Sequence, residues 1–474
     1  MRFSADDHGE IRSVYGSEDK TSALVQGEVV VAVKTRNKEK IEAILQSVSD
    51  PSSMQYGKHL SLKEICLLSE PLERHRQAVY DWAKLHSAVR IDETACKDFV
   101  VIKFPEALRF RALESAHLIA HAVDFIDSSS KDLLRSHSST TDASRIRSRE
   151  FEPAVRRAAL SATDAEQLLE SKPVGPWYPP CLKTSATPAC LRRLHNVSAT
   201  AAAGADTSQA VALFGPQYFR PSDLAAFEDK FALPAATIRV LNDNDPKIAG
   251  NEASLDTQYI TALGAGAETW FLHYNCTTEA CRPFLGWVLQ VANLTRPPLV
   301  QSVSVGTTEW EYVEAMGEAF VARINHEFAK LGARGVTLLF ASGDRASQAH
   351  AGRFWINFPA ASPFVAAVGG VWLGALGGGP LETDPDTTGG FANSPTHAQP
   401  PHQRAAVERY LAVAAASGAK RPDVFNASLR AVPDLVSMSD AYIIIQGGSP
   451  TFIGGTSAAC PVVAGPLSLI NGGL

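Results

Sequence analysis

Residues 312–344 read "YVEAMGEAFVARINHEFAKLGARGVTLLFASGD". Apolar residues recur every three or four positions as far as the glycine at 335, which is the spacing of an amphipathic helix. The run "VTLLFA" that follows is short and almost wholly apolar, as expected of a strand covered on both faces. The same texture extends outward. Helical patterns "PSDLAAFEDKFAL" (221–233) and "RPFLGWVLQVANL" (282–294) alternate with the apolar runs "AVALFG", "ATIRVL", "TWFLHY" and "LVQSVSV". This alternation predicts an α/β domain over 176–474, with a mostly parallel sheet and helices on both faces. In such sheets the working groups collect on loops at the strand C-terminal ends, and "FASGD" (340–344) lies at one.

The front of the chain differs. Residues 22–125 mix β-type runs ("GEVVVAVKT", "DFVVIKF", "HAVDFID") with helical ones ("KEKIEAILQSV", "RHRQAVYDWAKL"), which predicts a small α+β domain. Between the two domains, 126–175 are serine-rich, charged and poor in large apolar residues, an exposed linker. Composition is ordinary for a globular protein, 45% hydrophobic and 20% charged. A net charge of -6 gives no basic footprint, so nucleic acid is not an expected partner. No apolar run reaches the roughly 18 residues of a membrane span, and "FVAAVGGVWLGALGGG" reads as strand and turn. The N-terminus has no signal-peptide pattern, while N-x-[ST] sequons at Asn196, Asn275, Asn293 and Asn426 hint at a secretory route. Cys181/Cys190 and Cys276/Cys281 are spaced for local disulfides, and Cys66, Cys96 and Cys460 look unpaired.

Three short motifs carry the chemistry. "FIGGTSAACP" (452–461) puts Ser457 at a glycine-rich turn leading into a helix, where outward backbone N–H groups stabilise an oxyanion. A serine nucleophile needs a base. No "HGT"-like histidine motif of the subtilisin type is present; His8 lies in a polar tail, and His350, His397 and His402 lie in polar loops with nothing to orient them. Carboxylates are better placed. "GNEASLDTQYITALGAG" (250–266) sets Glu252 and Asp256 four apart, on one face of a partly buried helix. On this reading Asp256 takes the Ser457 proton and Glu252 orients it, with the two acids sharing a proton. Asp344, kept protonated in acid, donates to the oxyanion. A carboxylate base stays ionised in acid where histidine is protonated, so the set predicts an acid-active serine hydrolase.

Together, "EASLDTQY", "FASGD" and "GGTSAACP" resemble the Glu-x-x-x-Asp, S-G-D and G-T-S-A-x-x-P signatures of the sedolisin family, the serine-carboxyl peptidases, and most of all its tripeptide-releasing members. "SSMQYGKHLSLKEI" (52–65) resembles their propeptide, "TPACLRRLHNVS" (187–198) the start of their mature domain, and "FPAASPFVAAVGG" and "RAVPDLVSMSDAY" their core segments. The resemblance implies a subtilisin-like catalytic domain behind a ferredoxin-like propeptide that blocks the site. It also implies a zymogen that cleaves itself in acid between residues 126 and 180. Substrates would be peptides or unfolded proteins, in a secreted, lysosomal or acidic vacuolar setting, cut by a Ser-Glu-Asp triad. Endopeptidase action, or a non-catalytic peptide-binding relative, is the alternative.

Two departures stand out. Arg345 follows Asp344 where the family has serine, and a close guanidinium would lower the Asp344 pKa. Family members also continue beyond the serine into a calcium site. This sequence stops at Leu474, seventeen residues after Ser457. Calcium is therefore expected from the family, with ligands that fall beyond Leu474, and no residue here is matched to them.

Overall fold

Six residues in a row, Glu28–Val33, are buried, and this strand (β1) is one of the two inner strands of an antiparallel sheet ordered β2-β3-β1-β4. Its neighbours are β2 (Arg90–Glu93), β3 (Phe99–Lys103) and β4 (Val123–Ser128), with Val31 opposite both Val100 and Ile126. β-branched residues on the pleat pack well there. The helices α1 (Lys38–Ser49), α2 (Leu62–Ser69) and α3 (Glu73–Leu85) precede β2, and α4 (Glu106–Glu114) precedes β4. With α1–α3 together filling the first crossover, the order is the β-α-β-β-α-β of the ferredoxin-like motif. Val79 and Trp82 of α3 enter the core beneath Val29, Val31 and Val33, and the Trp82 ring meets Phe104 edge-on at 5.3 Å. Ser61 and Glu64 form a reciprocal capping box that starts α2.

The computed structural model describes residues 28–128, 185–198, 203–204, 207–274, 283–373, 381–416 and 424–472. The expected linker beyond Ser128 with its cleavage region, the tail bearing His8, Asn275, Cys181, Cys276, Cys281 and Leu474 lie outside these residues. β4 runs three residues past the boundary expected at 125. One cysteine expectation is corrected: Cys66 and Cys96 are joined in a disulfide across 30 residues. One lies on α2 and the other on the turn between β2 and β3, so spacing along the chain carried no sign of the pairing. Cys190 is also disulfide-bonded, and Cys460 is a free, buried thiol.

Chain contacts gather into two compact units. One holds the described residues of 1–150 with Cys276–Pro297 and Glu318–Val336; the other holds the rest. In the first, the helix Glu318–Ala333 packs on α1 and β4, with the Phe320 and Phe125 rings 4.5 Å apart. Arg323 on that helix is fully buried and donates to Asp98 (3.0 Å), Asp124 (2.8 Å) and Glu327 (2.9 Å). Lys330 closes the cluster on Asp98 and Glu327. The helix read from 312 onward as continuous is instead broken: Glu309–Met316 ends at Gly317, whose φ of +83° suits glycine, and Glu318–Ala333 begins anew.

The second unit is built on a mainly parallel sheet. Its strands are β5 (Ser208–Phe214), β6 (Ile238–Leu241), β7 (Glu268–Tyr274), β8 (Val300–Val303), β9 (Thr337–Ala341), β10 (Ala366–Leu373), β11 (Leu381–Thr383) and β12 (Leu435–Met438). The order is β11-β10-β9-β8-β5-β7-β6, with β12 also paired to β10. All pairs are parallel except β10 with β11. Three helices matter for the site: α5 (Pro221–Phe231), α6 (Asn251–Leu263) and α7 (Thr456–Asn471). α6 and α7 pack on each other, and α7 also lies on β5, β8, β9, β10 and β12. Ala253 and Ile260 of α6 share a core with Ala459 and Val463 of α7 and with Val211, Val300 and Leu339 of the sheet. Gly465 permits the close approach. A Cβ there would lie 2.6 Å from the Gly264 backbone nitrogen.

Candidate active site

Every residue of α6 from Glu252 to Leu263 is buried, although half of them are polar. Burial of polar side chains is tolerated when they find partners, and Gln258 and Tyr259 find theirs on a neighbouring strand. Gln258 Nε2 donates to the Ile445 carbonyl (2.8 Å) and its Oε1 accepts from the Ile445 N–H (2.9 Å). Tyr259 Oη donates to the Ile443 carbonyl (2.9 Å) and accepts from the Ile443 N–H (3.1 Å). These side chains occupy the free edge of strand Tyr442–Gln446, which pairs on its other edge with Ser449–Ile453. That hairpin leads through Gly454 and Gly455 straight into Ser457. Helix α6 thus holds the hairpin, and the hairpin delivers the serine.

Ser457 is the second residue of α7, after Gly455 at φ +119°, and is fully buried, as are Glu252 and Asp256. The hydroxyl of Ser457 donates to the Ser304 carbonyl at 3.3 Å. Ser304 Oγ donates to Asp256 Oδ1 at 3.0 Å and reaches the Ser457 carbonyl at 3.5 Å. The Glu252 carboxyl is pushed well above the usual carboxylate range, first by burial and then by the Asp256 charge; the neighbouring Ser457 hydroxyl acts the other way, and the Asp344 charge adds to the rise. Asp256 is raised likewise by burial, opposed by Ser304. Although Ser457 lies close enough to favour the Glu252 anion, neither Glu252 oxygen closes a hydrogen bond of full geometry. Such contacts tighten when substrate arrives.

Asp344 follows β9 and is half-buried. Its Oδ1 accepts from both the N–H and the Oγ1 of Thr456, each at 2.7 Å, which ties it to the first turn of α7. Thr456 Oγ1 in turn accepts from the Gly343 N–H at 3.1 Å. Gly343 has φ +111°, and a Cβ there would lie 1.9 Å from Asn357 Nδ2, so only glycine fits this turn. Arg345 is exposed.

All four residues singled out in the sequence therefore lie in one unit, and chains of contact link them: Asp256 to Ser304 to Ser457, Ser457 to Glu252, and Asp344 to Thr456 beside Ser457. Ser304 and Thr456 were missed. Ser304 sits just past β8 at a strand C-terminal end, and that position was the available signal. The expectation that His397 has nothing to orient it is corrected. It is fully buried with Nδ1 on Glu309 Oε1 at 2.7 Å, and Glu309 also accepts from the N–H groups of Asn393 and Ser394. That carboxylate lies more than eighty residues away in sequence. His350 stacks on Trp310 with ring centroids 4.0 Å apart.

Calcium is the one group the resemblance implies. Among the described residues, no group of three or more His, Cys, Asp or Glu side chains is placed to hold a metal ion. The described residues thus do not fit a calcium site, and no step below runs through one. No described helix is long and apolar enough to cross a membrane.

Known proteins share this sequence pattern. The sequence profile "Pro-kumamolisin, activation domain" matches residues 13–114. Tripeptidyl-peptidase 1 of Mus musculus is 34% identical over 460 residues, spanning 93% of this chain and 78% of the relative. Tripeptidyl-peptidase 1 of Homo sapiens is 32% identical over 459 residues with the same shares. Among solved structures, Pseudomonas sedolisin (serine-carboxyl proteinase) complexed with two molecules of pseudo-iodotyrostatin matches with 20% identity and a TM-score of 0.46, over 61% of this chain and 81% of that one.

Proposed function

The chain belongs to the sedolisin family of serine-carboxyl peptidases, alongside tripeptidyl-peptidase 1, and from that premise we propose that it is an acid-active peptidase releasing tripeptides from free N-termini. It is a serine-type peptidase carrying an activation domain, and that domain acts as its autoinhibitory propeptide. Its substrates are peptides and unfolded proteins in an acidic lumen. One observation carries the reading: a buried serine hydroxyl shares its surroundings with two buried carboxyl groups, and its own hydrogen bond goes to a backbone carbonyl rather than to a histidine.

In the proposed reaction Glu252, rather than Asp256, takes the Ser457 proton. The neighbourhood of Glu252 and Ser457 supports this order, since the hydroxyl that Asp256 engages is Ser304. As Oγ bonds to the substrate carbonyl carbon, the carbonyl electron pair moves onto oxygen. The carboxyl of Asp344 and the Ser457 N–H are the donors for that oxyanion, since the Thr456 N–H is already held by Asp344. Glu252 then passes the proton to the leaving nitrogen as the C–N bond breaks. Water resolves the resulting ester by the same transfers: Glu252 takes a proton from water and returns it to Ser457. Asp256 shares one proton with Glu252, because two adjacent carboxylates resist carrying two charges.

Hydrolysis of an Ala-Ala-Phe amide between pH 3 and 8 tests this. Turnover should rise in acid, vanish in Ser457→Ala, and fail on the same peptide with a blocked N-terminus. Absence of acid-dependent turnover in the wild-type chain would sink the reading, and cleavage of the blocked peptide would convert it to an endopeptidase.

A further inference from the structure

Beside Glu252, on the side of β5, is a small open pocket lined by Ala212, Leu213, Phe214, Gln217, Glu252, Ser304 and Val305. Four of these residues are apolar and three are polar, a lining that combines apolar contact with a few orienting polar groups. Ser304 and Glu252 already have tasks in the reaction. Gln217 has none, and its Oε1 is buried with no hydrogen-bond partner. A buried unpaired amide oxygen is costly, so its presence beside a pocket asks for a reason.

The chain around Gln217 is held firmly. Gly215 N–H donates to the Tyr274 carbonyl (2.9 Å), and Gln217 N–H donates to the Gly215 carbonyl (2.8 Å). Tyr218 bridges to Ala249, and Asn244 bonds both the N–H and the carbonyl of Phe219 (3.1 and 3.0 Å). The side chain rests over Gly250, immediately before α6. A Cβ at Gly250 would lie 1.9 Å from Gln217 Oε1 and 3.1 Å from Nε2, so the glycine leaves room for the amide and the NH₂ end stands farther out. Terminal amide torsions are soft, which lets either end turn into the pocket.

A carboxamide carries a donor and an acceptor at the spacing of a peptide group. Within this molecule Gln258 uses both ends on the backbone of Ile445. Gln217 has the same chemistry with its acceptor unused, beside the general base. We propose that Gln217 is a substrate-binding residue whose amide pairs with a backbone peptide group of the bound substrate, next to the bond that Ser457 attacks. This rests on the peptidase reading and deepens it. Because the contact is to backbone, it governs affinity for any peptide and is indifferent to side-chain identity.

Gln217→Met keeps the length that fills the space over Gly250 and removes the hydrogen bonds. In the full-length chain at acid pH, KM for the Ala-Ala-Phe amide should rise about tenfold, the equivalent of about 1.4 kcal/mol, with kcat within roughly two-fold and the pH midpoints unmoved. The Kd of the same peptide for the Ser457→Ala chain should rise by the same factor when Gln217→Met is added. KM and Kd within two-fold of the parent, or a fall in kcat with KM unchanged, overturn the proposal. If the wild-type chain shows no turnover while Ser457→Ala binds peptide in a Gln217-dependent way, the peptidase reading fails and this inference stands. If no peptide binds at all, both fail.

Discussion

Glu252 and Asp256 are the residues to which the proposed mechanism gives the proton transfers, and their burial has a thermodynamic signature. Both carboxyls have folded-state pKa values above the unfolded ones. The folded chain therefore holds more protons than the unfolded chain above about pH 4, so these groups make stability fall as pH rises toward their raised values. In a Ser457→Ala background, which prevents self-cleavage, melting temperature should drop from pH 4 to pH 8. Asp256→Asn should flatten that slope and raise stability at pH 8; an equal slope in both chains would contradict the shifts. Glu252→Gln should cost kcat on the order of 10²–10⁴, the usual worth of a general base, with peptide affinity retained. These acids were legible in the sequence because four residues separate them on one helix. Their relative tasks were not, since the i, i+4 spacing does not say which carboxyl faces Ser457.

At the scale of elements, α6 does two jobs with one face after another. Glu252 neighbours the serine and Asp256 reaches it through Ser304, while Gln258 and Tyr259 replace a strand along the edge of the hairpin that carries it. Gln258→Leu leaves the Ile445 N–H and carbonyl unpaired in the interior, and urea unfolding should report a loss of about 2–3 kcal/mol. The Michaelis parameters should suffer as well, because the hairpin runs into Ser457; a stable variant with normal kcat would show that the hairpin is held by other contacts. Alternating helix and strand were readable from periodicity here. Two features were not: Gly317 interrupts a continuous helical pattern through a positive φ, and Cys66 pairs with Cys96 only because α2 and the β2–β3 turn are brought together.

For the molecule as a whole, the two units titrate in opposite senses. In the first unit Asp98 is buried, which alone would raise its pKa, but Lys330 and Arg323 hold it well below the carboxylate range. Its contribution is present above about pH 4 and is lost only in strong acid. His326 on the same helix is buried with neither ring nitrogen bonded, and burial, then Lys330, Arg323 and Lys38, push its pKa well below 6.5 against the pull of Asp98. Around it Lys38 of α1, Arg323 and Lys330 already face Asp98, Asp124 of β4 and Glu327. Protonation adds a cation with no acceptor, so this unit loses stability as pH falls below 6.5. Hydrogen-exchange protection of β1–β4 in the Ser457→Ala chain, taken relative to the intrinsic rate at each pH, should fall between pH 7 and about 4.5, and His326→Leu should remove most of that change. Arg323→Met should be costly at either pH, by about 3–5 kcal/mol, because it strands buried carboxylates.

The sequence by itself determined the α/β class and the α+β domain ahead of it, and it singled out Glu252, Asp256, Asp344 and Ser457 as candidates. Periodicity is a local property, and short motifs keep chemistry-bearing residues at fixed spacing along one chain. Only the tertiary structure decided that Ser304 bridges Asp256 to the serine, that Thr456 anchors Asp344, and that Glu309 orients His397. Those pairings join residues tens to hundreds of positions apart, and each depends on which strand ends the sheet brings side by side.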